Sequence, residues 1–504
     1  MARVLDPAAA SAGWRAAGGV EVQAITADSR ACRSGSLFVA LPGAVPGQSR
    51  DGRAYIGEAV SRGAAAVLAP PGTLWPPGVP PRPLIEDPQP RRRLAQIAAQ
   101  LAGPPPAVLV AVTGTNGKTS SVEFTRQLWA LAGRQAASLG TLGVVAPGTE
   151  FAAGGAMTTP DPVALSETLA GLARAGVGAA ALEASSHGLD QFRLDGLRLA
   201  AAAFTNLTRD HLDYHGTPEA YRDAKLRLFR ELLPAGGVAV ASTALDPATQ
   251  LALQEIARTR RLDLRLVGED GGAIRLLRST PRADGQVLEL RHDGRRHEVE
   301  VALPGRFQAD NVLVAAALAQ ATGVDDALAL LPRLVGVRGR MELAARLDNG
   351  AAAYVDYAHT PDALARLLLA LRPHAEGRLI VVLGAGGDRD RGKRPLMGEA
   401  CARLADVAIV TDDNPRHEDA AAIRREVLAG CPGGIDGGGR EAAIAMGLDM
   451  LRAGDVLAVA GKGHEQGQTI GDVALPFDDV AVLRRLAGAR LDGPGLDGPG
   501  LDGQ

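Results

Sequence analysis

At 504 residues the chain is long enough for about three domains of ~150 residues, each able to bury its own core. Its 54 basic and 57 acidic residues leave a formal charge of −3, so no nucleic acid and no anionic membrane surface is expected as a main partner. Cys32, Cys401 and Cys431 show no paired spacing, the N-terminus lacks a basic-then-apolar leader, and no uncharged apolar run reaches the ~18 to 20 residues of a membrane span; a cytoplasmic protein without a disulfide framework or zinc site is expected.

In chain order, the proline-rich stretch PPGTLWPPGVPPRP (70–83) and the break GPPP (103–106) mark off a first domain over 1–103. The apolar run 107–112 predicts a strand and residues 121–132 a helix, with VTGTNGKTS (112–120) between them. Strand, glycine-bearing loop and helix in that order predict a phosphate loop. Gly114 and Gly117 let backbone amides approach phosphate oxygens, Lys118 brings a positive charge to the β/γ-phosphates, and Thr119 can place a hydroxyl on Mg²⁺. Val112 stands where the common loop pattern has a glycine, so an ordinary ATPase or GTPase loop fits less well than a variant that still handles a nucleoside triphosphate.

Short apolar runs at 178–182, 200–205 and 238–241 read as further strands between helical patterns, which predicts a mostly parallel α/β sheet with helices on both faces. A third segment, starting near Val337, repeats the style with strands at 352–357, 379–384, 407–411 and 456–460. The domains are thus expected at 1–103, 104–336 and 337–490, followed by a disordered tail, 491–504, built on a repeated LDGPG unit.

Strand ends line the ligand crevice of an open α/β sheet. Glu183 directly follows the strand 178–182, where a carboxylate suits Mg²⁺, and His211 follows the next strand. Lys225 falls in a helical stretch four residues after Tyr221, on the same face. Alone, each suits a bland role as cap, packed ring or surface cation; beside a phosphate loop they form a candidate catalytic set.

The ordered motifs TADSR (26–30), SLFVALPG (36–43), GTNGKTS (114–120), TTPD (158–161), EASSHGLDQFR (183–193), AYRDAKLRLF (220–229), GRME (339–342), VDYAHTPD (355–362), GAGGDRDRGKRPLM (384–397), DNPR (413–416) and GKGHE (461–465) resemble those of the Mur ligase superfamily, most closely the MurE family of UDP-N-acetylmuramoyl-tripeptide synthetases. The resemblance implies an N-terminal UDP-binding α/β domain, a central parallel-sheet ATPase domain and a C-terminal Rossmann-like domain. It further implies ATP-driven addition of meso-diaminopimelate to the D-Glu γ-carboxylate of UDP-MurNAc-L-Ala-D-Glu through an acyl-phosphate, as a step of peptidoglycan precursor synthesis by a cytoplasmic monomer.

By the same resemblance, ATP contacts fall to Gly114, Thr115, Asn116, Gly117, Lys118, Thr119, Ser120, Asn311, Arg340 and Asp356, with His359 nearby. Thr119, Glu183, His211 and a carbamylated Lys225 are implied around Mg²⁺, an unmodified ammonium there being repulsive to the metal. Ser29, the loop 41–47, Thr158, Thr159, Ser185, Gln191 and Arg193 match contacts of the UDP-muramoyl-dipeptide, Arg193 as a two-point partner for an anionic group. Arg389, Asp413, Asn414, Pro415, Arg416, Gly461 and Glu465 match the diaminopimelate pocket. Arg416 is the discriminating member, because diaminopimelate is lysine with one more carboxylate and an arginine there would be left unpaired by lysine. A lysine-adding or folylpolyglutamate-type ligase and a non-catalytic scaffold are the competing readings. Arg53, Gln308, Arg338, Ala385 and Gly467 depart from the family pattern, away from Lys118, Glu183, His211, Lys225 and Arg416. Because the ATP contacts divide between the central and third domains, closure of one onto the other is expected to shield the acyl-phosphate from water.

Overall fold

Residues 19–43, 51–146, 148, 157–208, 210–282 and 284–488 are described in the computed structural model. It divides into two units, Met1–Arg275 with Asp310–Leu328, and Leu276–Ala309 with Ala329–Gln504. The expected tail 491–504 and the 44–47 part of the expected substrate loop lie outside the described residues.

In the first unit, β1 (Ala24–Thr26), β2 (Ser36–Val39), β3 (Ala64–Ala69) and β4 (Leu84–Glu86) form a parallel sheet in the order β1-β2-β3-β4. Side chains alternate across a strand, so Leu37 and Val39 pack with Ile25, Leu68 and the helix Pro90–Ala102, while Phe38 and Ala40 pack with Ile56 and Val60 of the helix Ile56–Ser61. The unit's larger sheet comprises β5 (Val108–Thr113), β6 (Ala136–Gly140), β7 (Gly143–Val145), β8 (Ala179–Glu183), β9 (Ala201–Phe204), β10 (Val238–Ser242) and β11 (Asp263–Gly268), in the order β11-β10-β9-β5-β8-β6-β7. All neighbours are parallel except β6 and β7. The chain passes to one side of β5 for β6 and to the other for β9, so the strand order reverses at β5, and a ligand crevice is expected beyond its carboxyl end.

The expected strands are present, each shifted by at most one residue at an end. Two shifts matter. The helix expected at 121–132 runs Lys118–Leu131, because Gly117 takes a left-handed conformation (φ 82°) as its N-cap and Lys118 already lies in the first turn. Glu183 is the last residue of β8 instead of the one after it, paired in register with Val112 of β5. Helix starts follow a repeated local rule: Asp161-Pro162, Thr217-Pro218, Asp246-Pro247 and Thr360-Pro361 each place a capping oxygen before a proline that lacks the N–H a first turn cannot use.

The second unit contains a hairpin not expected from the sequence, β13 (Gly285–His292) against β14 (Arg295–Val301), preceded by β12 (Ile274–Arg282). Its turn, Asp293-Gly294, has positive φ at both residues (48° and 75°), the conformation that twists a two-residue turn to match its strands. The unit's main sheet is β15 (Glu342–Arg346), β16 (Ala352–Asp356), β17 (Leu379–Ala385), β18 (Val407–Asp412), β19 (Ile435–Gly438) and β20 (Val456–Ala460), ordered β15-β16-β20-β17-β18-β19 and parallel apart from β15. Val381, Leu383, Val410 and Ala458 feed the core under the helices Pro361–Leu371 and Lys393–Leu404; Ile380, Val382, Ile409 and Leu457 feed the opposite core under Arg440–Asp449. A second antiparallel pair, β21 (Gly467–Ile470) with β22 (Val473–Pro476), follows β20.

Arg394, whose side chain is fully buried, pairs with Glu418 and Glu426, each at 2.8 Å. The hydrogen bonds from Arg394 hold the Glu418 carboxyl down to about 2 from an ordinary 4.5. A carboxyl depressed in the folded state adds stability that is complete above 4.5 and is lost as pH falls toward 2. Wild-type protein should therefore melt at progressively lower temperature across that window. Glu418→Gln should lower the melting temperature at neutral pH and flatten the acid-limb slope, and calorimetric scans of both between pH 7 and 2 check this.

Candidate functional site

The loop between β5 and the helix Lys118–Leu131 is held from its far side by the chain leaving β9. Thr115 N donates to Asn206 O (2.8 Å), Asn116 N to Asn206 Oδ1 (2.9 Å), and Thr205 Oγ1 to Asn116 O (2.6 Å). Gly114 (φ 148°) has no room for a side chain, since a Cβ would meet Thr205 Oγ1 at 1.9 Å, and one on Gly117 would meet Asn311 Oδ1 at 2.2 Å. Those near contacts place Asn311, of the helix Arg306–Ala321, against the loop. The N–H groups of Lys118, Thr119 and Ser120 precede the helix's first internal bond, Ser121 N to Gly117 O (2.9 Å), and are the donors a helix start offers to an anion.

Two lysines converge on one carbonyl of this loop. Lys118 Nζ donates to Gly114 O (3.0 Å) and Thr115 O (2.9 Å), and Lys225 Nζ to Gly114 O (2.7 Å). Lys225 is 1% exposed, and its ammonium sits 4.5 Å from the centroid of the Tyr221 ring, as expected for positions four apart on a helix. Burial first, and then the charge of Lys118, hold the Lys225 ammonium well below the usual lysine range. The Tyr221 hydroxyl, pushed up to about 12 by burial, lies 3.2 Å from Thr115 Oγ1.

Glu183, buried at the end of β8, accepts from Thr141 N at 2.8 Å, and its own carbonyl accepts from Thr159 Oγ1 at 2.8 Å. Thr159 Oγ1 in turn accepts from Ser185 N (3.0 Å) and lies 3.0 Å from Ser185 Oγ, while Thr158 Oγ1 lies 3.2 Å from Thr141 Oγ1. Thr158, Thr159, Ser185 and Glu183 are thus one connected group. His211 is half exposed at φ 49°, its ring 4.8 Å from His187 and 6.2 Å from Tyr221.

A cleft of about 490 Å³ opens in the same unit, lined by Thr26, Ala27, Asp28, Leu41, Arg91, Leu94, residues 161–164, Glu167, Gln191 and Arg193. Gln191 and Arg193, both expected as substrate contacts, therefore face a cavity. Ser29 does not line it: the residue is buried and its hydroxyl donates to Glu58 Oε2 at 2.7 Å.

In the second unit, the expected residues gather at the carboxyl ends of β16, β17, β18 and β20. Asp356 closes β16, with Oδ2 accepting from Met341 N (2.7 Å) and Oδ1 from Ala358 N (2.8 Å), and burial raises its carboxyl above the usual range. Arg340 lies 5.4 Å from the Tyr357 ring, and His359 Nδ1 is 2.8 Å from Tyr357 O. Lys462, buried, donates to Asn414 Oδ1 (2.9 Å) and pairs with Asp413 (3.3 Å), and Asn414 Nδ2 donates to Glu465 Oε2 (3.1 Å). Arg416 takes φ 50°, strained for a residue other than glycine, and is held there from both sides: its N–H donates to Thr469 O (3.1 Å), its carbonyl accepts from Gly471 N (2.7 Å), and Nη1 donates to Gly387 O (2.7 Å). Pro415 is buried, and Gly461 N donates to Asp356 O (3.0 Å). Arg389 is exposed on the loop after β17.

Residues 112–319 match the Mur ligase middle domain, and residues 339–463 match the glutamate ligase domain of Mur ligases. A UDP-N-acetylmuramoyl-L-alanyl-D-glutamate--2,6-diaminopimelate ligase of Rhizobium meliloti (strain 1021) is 52% identical over 474 residues, 93% of this chain and 95% of that one. The chain belongs to the MurE family of Mur ligases. A relative of the same name from Caulobacter vibrioides is 51% identical, with 93% and 96% of the two chains covered. A solved structure of a UDP-N-acetylmuramoyl-L-alanyl-D-glutamate--2,6-diaminopimelate ligase superposes with a TM-score of 0.70 at 32% identity, over 93% of this chain and 95% of that one. MurF ligase from Thermotoga maritima, at 18% identity and a TM-score of 0.55 over 93% and 97% of the chains, shares the fold.

Several residues of this Mur ligase that shape the site were not singled out from the sequence. Thr205 and Asn206 fasten the phosphate loop, Thr141 orients Glu183, and Lys462 ties Asp413 to Asn414. Thr205 and Asn206 stand at the carboxyl end of the run 200–205 expected as a strand, so their place at a strand end was a usable signal; Thr141 had none. Of the departures from the family pattern, Arg53 is engaged by Asp51 and Arg338 by Asp478.

Proposed function

We propose that this Mur ligase joins meso-diaminopimelate to the D-Glu γ-carboxylate of UDP-MurNAc-L-Ala-D-Glu at the expense of ATP, in the cytoplasm and as a monomer, supplying a peptidoglycan precursor. The observation that carries the reading is the convergence of Lys118, Lys225 and the open helix start on one phosphate loop, beside a carboxylate held at the end of β8. A γ-carboxylate oxygen attacks the γ-phosphorus and ADP leaves; the amine then attacks the acyl carbon and phosphate leaves. Both steps crowd negative charge, which the cationic loop offsets.

Among the described residues no three His, Cys, Asp or Glu side chains gather into a metal cage. Mg²⁺ takes one or two carboxylates and keeps waters and phosphate oxygens, so a single buried carboxylate, Glu183, held at the end of β8, fits it. Glu183 and Thr119, with His211 and a carbamylated Lys225, would hold it. Mg²⁺ would neutralise phosphate charge and orient the phosphates. The depressed Lys225 ammonium supports the modification: a neutral amine can bond to the carbon of CO₂ and lose a proton, leaving an anionic carbamate. In the second unit, Arg416 with Asn414 and Glu465 offers a cation and a carboxylate for the distal end of a zwitterionic diamino acid, and Arg340, Asp356 and His359 are assigned to the nucleotide.

The test is phosphate release by purified protein with ATP, Mg²⁺ and UDP-MurNAc-L-Ala-D-Glu, with meso-diaminopimelate or L-lysine as acceptor. Release should require both the nucleotide-linked dipeptide and the amino acid and should strongly favour diaminopimelate. Equal use of lysine would keep the ligase and discard the specificity, and no turnover with either would favour a scaffold.

A further inference from the structure

Arg91, at the second position of the helix Pro90–Ala102, was not among the expected site residues, yet it lines the same cleft as Arg193. Both guanidinium groups are half-buried and neither is ion-paired among the described residues. Arg91 Nη2 donates to Pro42 O (2.6 Å); Arg193 donates to Thr159 O (2.5 Å), Gln191 Oε1 (2.8 Å) and Met157 Sδ (3.3 Å). A guanidinium carries five N–H donors, so each keeps donors beyond these contacts. The carboxylates of the cleft are engaged elsewhere or stand in solvent: Asp28 is bound by Arg30, Asp161 caps its helix through Val163 N and Ala164 N, and Glu167 is exposed. Burial lowers both guanidinium groups from the usual arginine range; for Arg193 the nearby charge of Asp161 offsets part of this and the charge of Arg91 adds to it, while Asp190 offsets part of it for Arg91. Two like charges drawn partly out of water into one cavity cost stability unless an anion joins them.

We propose that Arg91 is a second substrate-binding cation, which grips with Arg193 one anionic oxygen group of the nucleotide-linked peptide, either the diphosphate or a free peptide carboxylate. This rests on the substrate proposed above. Two planar forks presented to one oxyanion give a geometry that a single arginine cannot, and they fix where the reacting γ-carboxylate lies relative to the phosphate loop.

The experiment is calorimetric binding of uridine, UMP, UDP, UDP-MurNAc-L-Ala and UDP-MurNAc-L-Ala-D-Glu to wild type, Arg91→Gln and Arg91→Lys, with the KM for ATP and the melting temperature measured alongside. Arg91→Gln should leave uridine binding, the KM for ATP and melting unchanged while weakening the anionic probes about 10- to 100-fold, with Arg91→Lys between. A loss that begins at UMP or UDP identifies phosphate as the group, and one that begins at the peptide-bearing probes identifies a carboxylate. Less than a twofold change for every probe overturns the proposal, as does an equal loss for uridine, which would mean that Arg91 only anchors the loop at Pro42. Wild type that binds UDP in an Arg91-dependent way but not UDP-MurNAc-L-Ala-D-Glu sinks the substrate reading and leaves the cation's role standing.

Discussion

Lys225→Ala should lower phosphate release by about 10²- to 10³-fold, the range for removing one group aimed at transition-state charge, and Glu183→Gln should do the same. Glu183→Gln is the cleaner change, because a glutamine oxygen can still accept from Thr141 N while the charge is gone. Lys225 is more revealing. Its amine lies beneath Gly114 O, 1% exposed, where burial and Lys118 both disfavour an ammonium. If the working group is a carbamate, a small carboxylate such as acetate should restore part of the activity of Lys225→Ala, and methylamine should not. The reverse pattern would make the ammonium the working form. Full turnover by either variant would remove that residue from the mechanism.

Arg416→Asn is expected to cut kcat/KM for meso-diaminopimelate by about 10²-fold while leaving the melting temperature nearly unchanged. Asparagine is chosen because the backbone there has φ 50°, a conformation it tolerates better than most residues, so the bonds to Thr469 O and from Gly471 N can persist. What is lost is the guanidinium and its bond to Gly387 O. On the function proposed above, discrimination against L-lysine should collapse with it, since diaminopimelate would lose the cation assigned to its extra carboxylate. Competition between the two amino acids, read as the product ratio, checks this. A variant that keeps its preference for diaminopimelate would move the specificity to Arg389 or to another part of the pocket.

Much of the fold was legible because its signals are local. The apolar runs that became β5, β8, β9, β10, β16, β17, β18 and β20 are short and bounded by breakers, as buried parallel strands are. The hairpin β13–β14 was readable too, through alternation and the Asp293-Gly294 turn, but the expectation of alternating strands and helices passed over it. The helix was expected to start late because the loop motif was read through Ser120; lysine itself favours a helix, and it is the left-handed Gly117 that ends the loop and lets Lys118 open the first turn.

The sequence by itself determined the chemistry on offer: a loop with room for phosphate, a carboxylate at a strand end, a lysine and tyrosine on one helix face, an arginine after Asn414-Pro415. These follow from residue type and spacing within a few positions, which backbone geometry converts directly into shared faces and turns. Only the tertiary structure decided which distant residues hold them. Asn206 reaches Asn116 across 90 positions, Thr141 reaches Glu183 across 42, and Arg91 shares a cleft with Arg193. Strand order and helix packing set those meetings, and burial then set the state of Lys225 by withdrawing water from a charge that no local pattern could have shown to be covered.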